Sequence, residues 1–515
     1  MTVIPFQNEP FTNFNDPTNQ AAMRQALEKV KAEFGRTYPL VINGQAITTE
    51  SKLPSFNPAN TSEVIGTVSQ ANRDLVEQAL DAATQTFETW AYTSPEVRAG
   101  YLFRAAAVIR RRKHEFSAWM IYEEGKNWAE ADGDVAEAID FLEYYGREML
   151  RLAEPYPLVP FPGEDNRLLY IPLGVGIVIP PWNFPLAILV GMTTSAIVTG
   201  NTVLLKPSPN ASVIAAKFIE VMKEVGLPDG VINFVPGPPE EIGDYMTEHR
   251  KTRFVSFTGS RNVGLHIVER AAKSLPEQKW IKRVIAEMGG KDAIVVDKDA
   301  NLDEAAAAIV TSAFGFQGQK CSAASRAILH TDIYDDVVAL VIEKAKQLKM
   351  GTPAENAAVG PVVDEVAYKR IQNYIEIGKQ EAKLVLGGGT GPREGYFIEP
   401  TIFVDVKRSD RIMREEIFGP VLAIHRANSF EEAVEAFNDT EYGLTGALFS
   451  NDRQHLEYGV YHMHCGNLYF NRKCTGALVG VQPFGGFNMS GTDSKAGGPD
   501  YLLQFMQSKV VTERF

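Results

Sequence analysis

Three cysteines in 515 residues are too few for a disulfide framework, and Cys321, Cys465 and Cys474 form no CxxC pair. A reducing compartment, the cytoplasm, is the expected setting. The chain also lacks HExxH and every comparable metal-ligand spacing. His462 and His464 beside Cys465 come nearest, at the start of an expected strand, so no metal is expected. Positive charge is in deficit, with 51 Lys and Arg against 64 Asp and Glu, a formal net charge of −13. That balance argues against nucleic acid, which asks for a basic face. It does not exclude a small anionic substrate held by local donors. No apolar run approaches the roughly 18 to 20 residues of a membrane span. The amino terminus has no basic stretch followed by a long apolar one, so neither a secretory signal nor membrane association is expected. Hydrophobic residues at 45% and charged residues at 22% suit a folded globular enzyme, and the length calls for two or three domains.

What is present is well punctuated. Asp16 and Pro17 open an expected helix with Met23, Leu27, Val30 and Phe34 on one face, and Gly35 ends it. Leu40-Val41-Ile42, Asn43-Gly44 and Ala46-Ile47 read as a β-hairpin. Helical patterns follow at about 72–90, 95–112 and 129–149. Pro155, Pro157, Pro160 and Pro162 then interrupt the chain before the strand Leu168–Ile171, an excursion between domains. From 174 onward β-branched runs alternate with amphipathic helices: Val175–Ile179, Thr202–Leu205, Val231–Phe234, Phe254–Phe257 and Val284–Ala286. This alternation predicts parallel βαβ units and an open nucleotide-binding type of sheet. A second α/β alternation begins at Ala293–Val296 and runs to Leu468–Phe470, with Cys321 early within it. The end of the chain, Tyr501–Val511, is too apolar for a free tail and is expected to pack against something.

Several short motifs fall at the ends of these strands. Cys321 stands between Gln319-Lys320 and Ser322, a polar setting that suits a thiolate better than a packing thiol. Its residues alone leave both readings open. Glu287 ends a strand beside Gly289 and Gly290, where a general base or an ordinary loop carboxylate would fit. Asn183, in the stiff turn Pro180-Pro181-Trp182-Asn183-Phe184-Pro185, would donate to an oxyanion or merely serve the turn. Lys206-Pro207-Ser208 lies on the ligand side of an open sheet. Gly259-Ser260-Arg261-Asn262-Val263-Gly264 joins a strand to a helix, where backbone N–H groups approach a pyrophosphate. Its spacing is neither a P-loop nor G-x-G-x-x-G, so a structural turn stays open.

Taken together and in order, these motifs resemble the aldehyde dehydrogenase superfamily over nearly the whole chain. Glu416-Ile417-Phe418-Gly419-Pro420 and Pro483-Phe484-Gly485-Gly486 complete the series. The resemblance implies an α/β fold: a Rossmann-type NAD-binding domain (1–153 and 174–285), an α/β catalytic domain (286–482) and a β bridging flap for oligomerisation (154–173 and 483–515). It implies that Cys321 attacks an aldehyde, that Asn183 and the Cys321 N–H hold the oxyanion, and that Glu287 activates water against the thioester. It assigns the cofactor to Lys206, Ser208, Gly259, Ser260, Gly264, Glu416 and Phe418. NAD is the expected cofactor. Pro209 occupies a position where the family often has a ribose-binding glutamate, so NADP is expected to be tolerated beside NAD.

Within the superfamily, Phe316–Arg326, Tyr469–Arg472 and Thr475–Phe484 resemble the branch that oxidises L-glutamate γ-semialdehyde, the opened form of 1-pyrroline-5-carboxylate, to glutamate in proline catabolism. In that branch Ser322, Gly476 and Ala477 would hold the substrate carboxylate, with Phe184 and Phe484 sandwiching its aliphatic chain. Oriented donors of this kind need no net positive charge. A homodimer or a larger homo-oligomer is expected, and no proline-oxidising domain precedes the module, so a monofunctional enzyme is expected. The competing expectations are a dehydrogenase of another carboxylated semialdehyde, such as succinate semialdehyde, an acyl transferase to coenzyme A, and a silent binding protein that has kept the fold.

Overall fold

The computed structural model describes residues 4–515. Its frame is two seven-stranded sheets. In the first, Arg283–Glu287, Thr252–Thr258, Val175–Ile179, Thr202–Leu205 and Ile232–Phe234 lie side by side in that order, all parallel. The hairpin Leu40–Ile42 and Gln45–Ile47 extends this sheet antiparallel, with Val41 opposite Phe234. These strands are largely apolar because helices cover both faces, and Val203, Leu204 and Leu205 are fully buried. The chain builds outward from Val175–Ile179 through the next two strands, then crosses back to Thr252–Thr258 on the other side. This reversal opens a crevice outside the carboxyl ends of the two central strands. Gly176 permits their close approach, since a Cβ there would stand 2.0 Å from the Phe254 ring.

The second sheet has the spatial order Lys383–Leu386, Thr401–Val404, Val421–Ala427, Ala324–His330, Asp292–Val296, Thr445–Phe449 and Asn467–Phe470. Only its edge strand Lys383–Leu386 is antiparallel. Just four residues, Met288–Lys291, connect the last strand of the first sheet to a central strand of the second. A Cβ on Gly289 would stand 2.2 Å from the Glu416 carboxylate, and one on Gly290 would stand 2.6 Å from the Cys321 carbonyl oxygen. Side chains are excluded there.

The carboxyl-terminal region divides into two parts. Residues 484–496 return to the junction, where Thr492 pairs with Ala286 and Met288 N donates to the Ser490 carbonyl at 2.7 Å. Met506–Arg514 alone forms a two-stranded antiparallel ribbon with Glu164–Pro172. No helix among the described residues is long and apolar enough to cross a membrane.

Arg326 locks the second sheet from inside. Fully buried, it donates to the backbone carbonyls of Lys291, Ala436 and Phe437 at 2.7, 2.9 and 2.9 Å. Arg326→Met leaves these three acceptors unpaired and is expected to lower the unfolding free energy by about 3 kcal/mol, read by denaturant titration. A loss below about 1 kcal/mol would show that the carbonyls find other donors.

Candidate active site

Cys321 follows a run of backbone that is unusual for residues with side chains. The helix Leu302–Phe314 ends, and Phe316, Gln317 and Gly318 then take positive φ angles of 49°, 54° and 67°. Left-handed geometry at the first two costs about 1 kcal/mol each. The surrounding contacts offset that cost. Gln317 Nε2 donates to the Pro361 carbonyl at 2.8 Å, and Gln319 Oε1 accepts from Val363 N at 2.9 Å. The chain then delivers Cys321 and Ser322 to a cavity of about 610 Å³.

The cavity also receives Glu287, Phe184, Phe484, Gly476 and Ala477. Ser322 and the 476–477 turn thus face the same space as the thiol. Gly476 needs its φ of 80°, and Arg472 carries that turn by donating to the Thr475 and Gly476 carbonyls at 3.0 and 3.1 Å. Asn183 is buried behind the nucleophile loop, where its Nδ2 donates to the Gln319 carbonyl at 3.1 Å. One amide N–H is occupied in this way and the other remains.

The electrostatics correct one expectation from the sequence. The neighbours of Cys321 do not make a thiolate. Burial and the negative groups Asp292, Glu287 and Glu416 push the thiol well above its ordinary range. Lys320 turns its ammonium to Glu130 at 2.7 Å, and Gln319 is spent on Val363, so neither stabilises a charged sulfur. These surroundings favour the neutral thiol at Cys321. Glu287 is likewise raised, to about 8, chiefly by burial, with the Ser494 hydroxyl and Lys495 opposing the shift.

The remaining residues lie along the first sheet and the junction. Lys206 follows the strand Thr202–Leu205 and is buried, and burial lowers its pKa to about 8. It has no carboxylate within ion-pair distance among the described residues. Ser208 precedes the short turn Pro209–Ala211. Gly259 donates its N–H to the Glu287 carbonyl at 3.1 Å, and Ser260 caps the helix Arg261–Ala271. Gly264 brings that helix onto Met288, whose sulfur would stand 2.5 Å from an added Cβ. Glu416 Oε1 accepts from Gly290 N at 3.0 Å, and Phe418, at a φ of 56°, packs edge-on against Trp182 at 5.6 Å. A helix amino end at the sheet reversal, with a buried lysine two strands away that has no ion-pair partner among the described residues, fits a dinucleotide.

Four further residues at or beside the cavity carry no sequence motif. Lys126 is fully buried, 3.0 Å from Asp134, with its ammonium 4.3 Å from the Phe184 ring and 4.4 Å from the Phe316 ring. Glu137 and Lys473 line the cavity, and Ser494 touches Glu287. All sit in ordinary helical or loop sequence, and only tertiary packing gives them a role.

The aldehyde dehydrogenase family model matches residues 46–511. The chain is 60% identical to the 1-pyrroline-5-carboxylate dehydrogenase of Geobacillus thermodenitrificans, over the full length of both. The Thermus 1-pyrroline-5-carboxylate dehydrogenase solved with bound NAD superimposes at a TM-score of 0.99, with 52% identity and both chains fully covered. Proline utilization A from Bdellovibrio bacteriovorus gives 0.98 at 43% identity, covering 99% of this chain and 53% of that longer one. With two mainly parallel sheets meeting beside the half-buried Cys321 and a match that runs nearly end to end, the chain belongs to the aldehyde dehydrogenase family.

Proposed function

We propose that this enzyme oxidises L-glutamate γ-semialdehyde to L-glutamate with NAD. The observation that carries the substrate is the composition of the cavity wall. Five carboxylates of the helix Trp128–Ala153 line it: Glu130, Asp132, Asp134, Glu137 and Asp140. Four are taken, by Lys320, Lys113, Lys126 and the Asn8–Glu9 segment. Glu137 has no partner among the described residues, and burial raises its pKa to about 8. An ammonium group would pull it back toward the charged form. Ser322 and the N–H groups of Gly476 and Ala477 would take the carboxylate of the same substrate, and Phe184 and Phe484 its methylene chain.

The thiol of Cys321 adds to the aldehyde carbon, its proton leaves to water, and the oxyanion is held by Asn183 and the Cys321 N–H. Bound NAD supplies the hydride acceptor, and a thioester to Cys321 remains. Lys206 and Ser208 would hold the adenosine ribose, Gly259, Ser260 and Gly264 the pyrophosphate turn, and Glu416 and Phe418 the nicotinamide ribose end. Glu287 then takes a proton from water as the water oxygen bonds to the acyl carbon, and the carbon–sulfur electron pair returns to Cys321. A carboxyl titrating near 8 is well matched to that work. The relatives named above act on this substrate class by their names, and one of them was solved with NAD. We assign the ribbon of Glu164–Pro172 and Met506–Arg514, with exposed Leu169 and Val510, to pairing with a second copy in a homodimer or larger assembly. A free catalytic thiol suits the cytoplasm.

Cys321→Ser is expected to abolish NADH formation while Cys465→Ser keeps most of it, and turnover in the Cys321 variant would refute the mechanism. Comparing kcat/KM on the two semialdehydes should favour glutamate γ-semialdehyde over succinate semialdehyde by at least ten-fold, about 1.4 kcal/mol. Glu137→Gln should narrow that ratio, since succinate semialdehyde carries no ammonium. A ratio unmoved by the substitution would remove Glu137 from substrate recognition.

A further inference from the structure

We propose that Ser494 is the positioning residue for the general base, holding one oxygen of Glu287 so that the other is the one offered to water. The proposal rests on Glu287 being the base for thioester hydrolysis.

The geometry is a clasp made by the carboxyl-terminal segment. Phe484 and Ala496 exchange backbone hydrogen bonds at 2.9 and 2.8 Å, closing residues 484–496 into a loop. That loop grips both neighbours of Glu287. Ala286 N donates to Thr492 Oγ1 at 3.0 Å, Thr492 N donates to the Ala286 carbonyl at 2.9 Å, and Met288 N donates to the Ser490 carbonyl. Glu287 itself forms a backbone bridge to Gly491. Glycines line its carboxyl on two sides: a Cβ on Gly485 would stand 3.1 Å from Oε1, and one on Gly491 would stand 3.2 Å from Oε2.

Inside this clasp the two carboxyl oxygens are not equivalent. Ser494, itself buried, donates its hydroxyl to Oε1 at 2.5 Å. Oε2 is buried and has no hydrogen-bond partner among the described residues, although the nearby Gly486 N–H also favours the charged carboxyl. When Glu287 is ionised, a buried oxygen without a donor is costly, and it is the natural acceptor for a proton from a water brought to the thioester. Lys495 adds positive charge nearby but cannot compete for Glu287. Its ammonium is spent on the Gly466 and Gly485 carbonyls at 2.7 and 2.5 Å and on Asn467 Oδ1 at 3.3 Å. The other titratable groups facing Glu287 are Asp493, Cys321 and Tyr501.

A hydroxyl donated to a carboxylate favours its charged form, so removing it must raise the pKa of Glu287 further. General-base hydrolysis needs the charged form, and the acid limb of its pH profile must then move to higher pH. The experiment follows NADH release after mixing enzyme, NAD and aldehyde between pH 6 and 10. Ser494→Ala should keep the burst from the first turnover. It should lower the steady-state rate at pH 7 by about five-fold and shift the acid limb up by about 0.7 pH unit. Ser494→Thr, which restores a hydroxyl, should return the limb toward its original place. An unmoved limb, or one moved to lower pH, in the folded Ser494→Ala enzyme overturns the proposal. If that variant does not fold, Ser494→Cys, with similar volume and a weaker donor, is judged by the same shift. Glu287→Gln separates the two claims. Normal steady-state turnover in that variant refutes the general base itself. Slow turnover there, with an unshifted limb in Ser494→Ala, refutes only the positioning role.

Discussion

Everything catalytic in this molecule depends on how tightly one sheet is joined to the other. Met288–Lys291 make the whole crossing, and Gly289 and Gly290 press against the Glu416 carboxylate and the Cys321 carbonyl, where no Cβ would fit. A short connection with two glycines at its centre fixes the end of one parallel sheet against the start of the next. Glu287 at the end of the first sheet and the Cys321 loop beside the second are thereby held to one spacing. The cofactor crevice, formed where strand order reverses in the first sheet, is brought to the same place.

The enclosure this produces has an electrostatic price. Arg326, Lys126 and Asp134 are all removed from water, and each is matched by carbonyls, aromatic faces or an opposite charge. Lys126 is the most economical of them, because one ammonium faces both Phe184, a cavity wall, and Phe316, the first left-handed residue of the nucleophile loop. Contacts of this kind are worth about 2 kcal/mol when desolvated, comparable to the backbone strain in that loop. The same enclosure shifts Cys321 and Glu287 toward their neutral forms.

Much of this was legible in the chain because local rules and tertiary structure agree. Val175–Ile179 and Thr202–Leu205 are buried on both faces and read as unbroken apolar runs, so their bounds appear in the sequence. The helix Pro17–Lys31 likewise begins after the capping Asp16. The hairpin at 40–47 was legible as a hairpin. Its place beside Phe234 was not, because pairing across such a sequence separation leaves no local trace. The thiolate environment expected at Cys321 failed for a related reason. Sequence neighbours predict chemistry only when their side chains stay near, and Lys320 and Gln319 are both drawn to partners far along the chain. Ser494 and Glu137 carry no motif at all. The first matters through a contact 207 positions away, the second through the partner it lacks.

The clasp around Glu287 also has a mechanical meaning. Residues 484–496 pin both neighbours of Glu287 and supply the hydroxyl on its carboxyl. The same segment carries Phe484 and Ala496 to the wall of the cavity that Cys321 enters. A displacement of this segment would therefore reach the Glu287 carboxyl and the cavity wall together.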